Sequence, residues 1–440
     1  MQYYLGIDIG ASSGRHMLGH MENNKIVLEE IYRFENKICR IHEKDCWDID
    51  YLFNEVVKGI KECVRIGKVP VSLSIDTWAC DFVLVDDKGN RLCDCVSYRD
   101  DWVEGMMEEA FTKMDKRTLY EKTGIQFQKF NTLYQLMALQ KENPNILKKA
   151  KHFLMVPDYL VYRLTSVFTN EYTNASTTQM VNVHTQTWDK EILHTFHLPS
   201  DIFHEFMKPG QVIGGLCEDI QKEVGCNMNV IACATHDTAS AYSVVKRRNE
   251  AILSSGTWSL LGTILDKPMT CVQAMELNFT NEGAYDGCYR FLKNIMGLWM
   301  IQEVRHCLND EYTFQELVDL AKASDCEPSI INVNDTCFLH PENMIKAIQN
   351  YCEKHHENIP KTPGEIAKCV YHSLAVSYRE ALEELSSLCG KKFDTIHIVG
   401  GGCKNTLLNE LIEEYTKTTV ITGPDEASVL GNIMIQMGGK

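Results

Sequence analysis

The sequence predicts an α/β fold in two halves, and three observations carry that expectation. Short β-branched runs alternate with helical patterns along the chain. Several of these runs end in glycine or small polar residues that lead into a helical period: Val71 to Ile75, Asn229 to Ala234 and Thr395 to Val399. A strand, a hydroxyl-rich turn and a second strand occur together twice, from Tyr3 to Gly19 and from Glu250 to Leu265, so that each half opens on a hairpin. A chain of 440 residues is long enough for two or three domains with sizeable cores.

One helix can be read residue by residue. Thr362 is placed to cap it, Pro363 suits the first turn, and Glu365 completes a capping box. Ile366, Val370, Leu374, Tyr378, Leu382 and Leu385 then recur every three or four residues, and Gly390 supplies a left-handed stop. The run Thr395 to Val399 meets Gly400-Gly401-Gly402, after which Leu407, Leu408, Leu411, Ile412 and Tyr415 mark one side of a second helix. The boundary between the halves is expected near Tyr242 to Asn249, where Lys246-Arg247-Arg248 is short, basic and polar; the domains are then 1–241 and 242–440.

Composition narrows the function. Lys plus Arg is 44 against 60 Asp plus Glu, a formal net charge of −16, which disfavours nucleic acid and anionic membrane as partners. A local cluster of backbone N–H groups can still hold a phosphate against that charge. No apolar run approaches the roughly 20 residues of a membrane span. No basic and apolar leader precedes the strand-like Tyr3 to Ile7, so a cytoplasmic location is expected. The 18 cysteines include no Cys-x-x-Cys pair; reduced, partly buried thiols are expected, and no zinc.

Five motifs carry candidate chemistry. In Asp8-Ile9-Gly10-Ala11-Ser12-Ser13-Gly14-Arg15, small residues let backbone N–H groups approach phosphate, the serines add hydroxyl donors, and Arg15 adds charge. Asp8 is placed to hold Mg²⁺ through water. Ser254 to Ser259, with Gly256 and Thr257, offers the same hydroxyl-and-glycine chemistry from the other half. Either loop reads equally well as an ordinary polar hairpin. Gly400-Gly401-Gly402 suits close approach to an adenine or ribose, or is a plain helix-start turn. In Thr235-His236-Asp237-Thr238, a carboxylate at a strand end and helix start sits where α/β sites form, and Asp237 could accept a hydroxyl proton; it could also simply cap the helix. In Asp76-Thr77-Trp78-Ala79-Cys80-Asp81, a Trp face with nearby acids suits a sugar, or is a buried Trp with N-cap acids.

Taken in order, these motifs resemble the FGGY family of carbohydrate kinases over essentially the whole chain. The resemblance is carried further by SYRD (97–100), GIQF (124–127), NTLYQL (131–136), PDYL (157–160), HDTASA (236–241), SSGTWSL (254–260), KNIMGLW (293–299), HIVGGGCKNTLLN (397–409) and LGNI (430–433). It implies two actin-like, Hsp70-like lobes with ATP and Mg²⁺ between them. By position it implies ATP contacts from Ala11, Ser12, Ser13, Gly14, Arg15, Thr257, Gln302 and Gly401. It also implies sugar contacts from His236, Thr238 and Asn294, beside those read at Trp78 and Asp81, with Asp237 as general base. Within the family the resemblance is to the branch that converts L-rhamnulose to L-rhamnulose 1-phosphate. A monomer and a homodimer are both compatible with the sequence. Two departures are expected to matter. Ala79 stands where that branch carries glycine, and its methyl would shrink the sugar pocket or shift preference toward another ketose or deoxy sugar. The end at Lys440 falls soon after LGNI, with activity expected to survive. A sugar or nucleotide sensor on the same fold is the competing class, and it would not require Asp8, Arg15 and Asp237 together.

Overall fold

The first hairpin forms because Leu5, Ile7 and Ile9 alternate on a strand whose neighbours bury both faces. Strand β1 (Tyr4–Ile9) pairs antiparallel with β2 (Ser13–Glu22), which pairs antiparallel with β3 (Lys25–Glu35). On its other edge β1 runs parallel to β4 (Ser72–Thr77). Beyond β4 lie β5 (Val212–Gly215) and β6 (Asn229–Ile231), giving the order β5-β6-β4-β1-β2-β3. The helix Ile49–Arg65 lays Leu52, Val56 and Ile60 into the core with Leu5, Ile7, Ile9 and Leu73. The structure, a computed structural model, describes residues 1–245, 250–339 and 341–438. The basic stretch Lys246-Arg247-Arg248, on which the expected domain boundary rests, lies outside the described residues.

Two compact units divide the chain, and the division is interleaved. The first takes Met1–Val244, Ile264–Phe291 and Ser428–Lys440; the second takes Val245–Thr263 and Leu292–Ala427. The helix Ala427–Gln436 therefore belongs almost wholly to the first unit. It lies so close to β1 and β2 that a Cβ on Gly6 would come within 2.9 Å of Val429, and one on Gly19 within 2.7 Å of Ile433. A Cβ on Gly431 would be tighter still, 1.9 Å from the Ser240 carbonyl oxygen, so the LGNI motif is a packing seam between two helices.

In the second unit β7 (Ala251–Ser255) pairs antiparallel with β8 (Trp258–Leu265) and parallel with β9 (Thr395–Val399), which is parallel to β10 (Thr419–Thr422). The helix Pro363–Cys389 forms as its sequence predicts, with a Thr362–Glu365 capping box and Gly390 left-handed at φ 61°. The next helix, Thr406–Thr416, buries Leu407, Leu408, Leu411 and Ile412 while Tyr415 stays half-buried. A short 3₁₀ turn, Gly401–Lys404, separates β9 from it, so the glycine run does not open directly into a helix. Among the described residues no helix is long and apolar enough to cross a membrane.

Candidate active site

Three strand ends of the first unit bring three carboxylates together. Asp8 and Asp76 are register partners on the parallel pair β1 and β4. One residue beyond Asp76, Thr77 bridges to His236, and its N–H donates to the Thr235 carbonyl at 2.9 Å. That bridge sets Asp237 at the first position of the helix Asp237–Ser243, with His236 as its cap residue. Asp237 is the open member of the three, its side chain 32 % exposed, whereas Asp8 and Asp76 are buried.

The electrostatics follow from this crowding. Asp8 is bridged by Arg15 across the hairpin, Nη2 at 2.8 Å and Nε at 3.1 Å from Oδ2. Burial, and then the Asp8 charge, push the Asp76 carboxyl well above the ordinary range. Asn432 Nδ2 donates to Asp76 Oδ2 at 2.5 Å, while Asp76 Oδ1 is buried without a hydrogen-bond partner. Asp237 is also raised, by burial first and by Asp8, against the opposing pull of His236 and the Thr238 donors. A carboxylate whose proton affinity is raised toward the working pH is a better general base than an ordinary Asp.

The surplus of negative charge also bears on a metal. Among the described residues no three His, Cys, Asp or Glu side chains are close enough together to enclose an ion. Two adjacent strand-end carboxylates, one with an unpartnered buried oxygen, fit a hard cation that keeps most of its water. Asp8 would hold it.

Trp78 and Asp81 follow β4. Asp81 is 1 % exposed, and its two oxygens accept from Trp47 Nε1 (2.6 Å), Trp78 Nε1 (2.9 Å), Gln135 Nε2 (3.0 Å) and the Tyr98 N–H (3.2 Å). Burial raises its carboxyl to about 6 even against those donors. Asp81 thus holds two indoles, whose rings lie 4.3 Å apart, rather than presenting free lone pairs to a ligand. Ala79 is half-buried, and the left-handed residue of this turn is Cys80, at φ 76°, so the backbone at 79 does not require glycine.

The first turn is tied down by Asn36, whose N–H donates to the Ser12 carbonyl and whose Nδ2 donates to the Gly10 carbonyl. Ala11, Ser12 and Ser13 are left partly or fully exposed at its tip. Gly14 is needed for a different reason from the one its motif suggests: a Cβ there would lie 2.1 Å from the Phe34 ring.

In the second unit, Thr257, Gln302 and Gly401 gather around the end of β7. The Gly256 and Thr257 carbonyls accept from the N–H groups of Leu298 and Trp299, at the start of the helix Trp299–Cys307 that carries Gln302. Gly402 packs on Ser255, where a Cβ would meet Oγ at 2.0 Å, and Gly401 beside it is open. Asn294 lies on the strand Tyr289–Met296, half-buried.

Several residues of the first site escape sequence reasoning. Glu171 accepts from the N–H and hydroxyl of both Thr173 and Thr235, and so fixes the residue before His236. Asn432, Trp47, Glu282 and Arg290 are brought in from far along the chain. For Asn432 the only local signal is a polar residue inside the otherwise apolar run LGNI.

Comparison with known proteins identifies the family. Residues 3–243 match the N-terminal domain model, and residues 251–438 the C-terminal domain model, of the FGGY family of carbohydrate kinases. Among solved structures, gluconate kinase from Lactobacillus acidophilus superposes with a TM-score of 0.82 at 17% identity, covering 100% of this chain and 90% of that one. Glycerol kinase from Plasmodium falciparum, solved with ADP, gives 0.80 at 17% identity over 99% and 89%. These likenesses show the fold. Curated relatives are nearer in sequence: the rhamnulokinase of Oceanobacillus iheyensis is 49% identical over 99% of this chain and 93% of its own length. That of Halalkalibacterium halodurans is 50% identical over the same shares, and that of Bacillus subtilis 41% identical over 99% and 90%. With both domain models matched in order and relatives of this identity along its length, the chain belongs to the FGGY family of carbohydrate kinases.

Proposed function

We propose that the chain transfers the terminal phosphoryl group of ATP to L-rhamnulose, giving L-rhamnulose 1-phosphate and ADP. The relatives at 41–50% identity that are named rhamnulokinase support the substrate. The observation that carries the mechanism is the strand-end cluster in which Asp237 alone is open while Asp8 and Asp76 are buried beside it. Phosphoryl transfer asks mainly for positioning and charge stabilisation, with one group to take the hydroxyl proton. Asp237 is that group. As the sugar oxygen attacks phosphorus, its proton passes to Asp237, whose raised affinity suits it to the task. His236 and Thr238, beside it, and Asn294 orient the sugar, with the Trp78 face held by Asp81 behind it. Ala11, Ser12, Ser13, Gly14 and Arg15 meet the phosphates from residues 1–241; Thr257, Gln302 and Gly401 meet ATP from residues 242–440. Mg²⁺, held at Asp8 through water, supplies charge neutralisation for the phosphates when bound. A cytoplasmic location, as a monomer or homodimer, completes the reading.

The test is ADP release by purified protein with ATP and Mg²⁺, with L-rhamnulose, L-fuculose, L- and D-xylulose, L-ribulose and glycerol offered in parallel. Strong preference for L-rhamnulose is expected. Preference for another sugar overturns the substrate and keeps the chemistry; ATP binding without release for any sugar overturns the kinase reading.

A further inference from the structure

Behind His236 lies an arginine that no motif marks. Arg290, at the start of the strand Tyr289–Met296, is wholly buried in the first unit. Its Nε donates to the Gly283 carbonyl at 2.9 Å, and its Nη2 forms an ion pair of 2.9 Å with Glu282. The same Nη2 lies 3.0 Å from His236 Nδ1. A guanidinium has five N–H donors and no acceptor, and it stays charged in proteins. Where it meets Nδ1, the ring nitrogen must accept.

Glu282 is the competitor. Its Oε2 is 3.4 Å from the same Nδ1 and would accept from an Nδ1–H. The shorter distance is to Arg290, and the Glu282 charge is already matched by that arginine. Burial pushes the Glu282 carboxyl up, and the charge of Arg290 is the first influence that opposes it.

We infer that Arg290 is a positioning residue that locks His236 as the tautomer with its proton on Nε2. Nε2 is the nitrogen on the side of Asp237, 3.5 Å from Oδ1. It can then donate a hydrogen bond and cannot accept one. His236 is thereby removed as a proton acceptor, Asp237 is left as the acceptor of the pair, and the imidazole N–H is aimed at an oxygen of the sugar. This rests on the proposed reading in so far as His236 and Asp237 face the sugar.

The tautomer is read from ring ¹⁵N shifts in full-length protein labelled with [¹⁵N]histidine, the His236 signals being identified by their loss in His236→Gln. Nε2 protonated and Nδ1 bare are expected in the wild type, and unchanged in Glu282→Gln. In Arg290→Met the proton moves to Nδ1, and kcat falls by about tenfold, the worth of one hydrogen bond of about 1.4 kcal/mol. Arg290→Lys, which keeps a donor, restores part of that loss. An Nδ1–H signal in the wild type, or a switch to it in Glu282→Gln, overturns the inference, and neither result depends on Arg290→Met folding. If His236→Gln keeps normal sugar kinetics, the sugar-contact reading fails while the tautomer result still stands or falls by itself.

Discussion

The two hairpins share a topology and differ in chemistry. In each unit the first hairpin strand is antiparallel to the second and parallel to a later strand, β1 to β4 and β7 to β9. At the ends of those parallel pairs the first unit places Asp8 beside Asp76, and the second places Ser254 beside Val399. One frame carries stacked carboxylates and an arginine bridge; the other carries neutral groups whose turn carbonyls rest on a helix start. The fold thus supplies two similar loops, and the side chains at these register positions decide which of them is charged and which is neutral.

That asymmetry can be broken most directly at Asp237. Asp237→Asn is expected to cut kcat by about 10²–10⁴-fold with ATP and sugar binding retained. Thr257→Ala in the neutral hairpin is expected to raise KM for ATP by a few-fold, the worth of one hydrogen bond of about 1 kcal/mol. Equal losses of kcat in the two variants would dissolve the distinction. In the wild type, the acid limb of kcat should fall above the ordinary Asp pKa of about 3.8, because burial and Asp8 raise Asp237.

The glycines sharpen the comparison next. Gly14→Ala drives a methyl into Phe34, and a loss of about 1–3 kcal/mol is expected, whereas Gly256→Ala finds nothing nearer than 3.6 Å and should leave the melting temperature within about a degree. Equal thermal stability of the two variants would show that the first hairpin yields more than its packing suggests.

A pH-dependent effect belongs to Asp76. Its folded pKa is raised, so the carboxyl favours the folded state when protonated, and that contribution is lost as pH rises through the folded value. Asp76→Asn keeps the shape and removes the charge. It should raise the melting temperature at pH 7 by about 2–4 °C, the equivalent of ~1 kcal/mol in a domain of this size, with no gain at low pH. A gain that is the same at all pH values would disprove the electrostatic account.

Much of this was legible in the sequence, for a physical reason. Both hairpins, the Thr362 to Gly390 helix and the strand-end place of Asp237 follow from short-range periodicity and capping, which the sequence states locally. What was not legible is long-range. Asp76 meets Asn432 from 356 positions away, His236 meets Arg290 across 54, and Trp47 meets Asp81 across 34; no local pattern encodes such pairings. Asp81 looked like a sugar ligand because acids beside a Trp are common to both roles, and only its four donors reveal what its oxygens do. Gly14 read as a phosphate glycine because a motif records the absence of a side chain and not what fills the space.

The seating of Ala427–Gln436 on β1 and β2 has a consequence for synthesis on the ribosome. The strands of the first unit emerge first, but the helix that fills the space over Gly6 and Gly19 is made much later, and the amide that meets Asp76 follows that acid by 356 residues. At about 5–20 residues per second the interval is on the order of tens of seconds. For that time the nascent first unit carries an uncovered apolar face and an uncapped acid, the kind of transiently exposed surface that favours association.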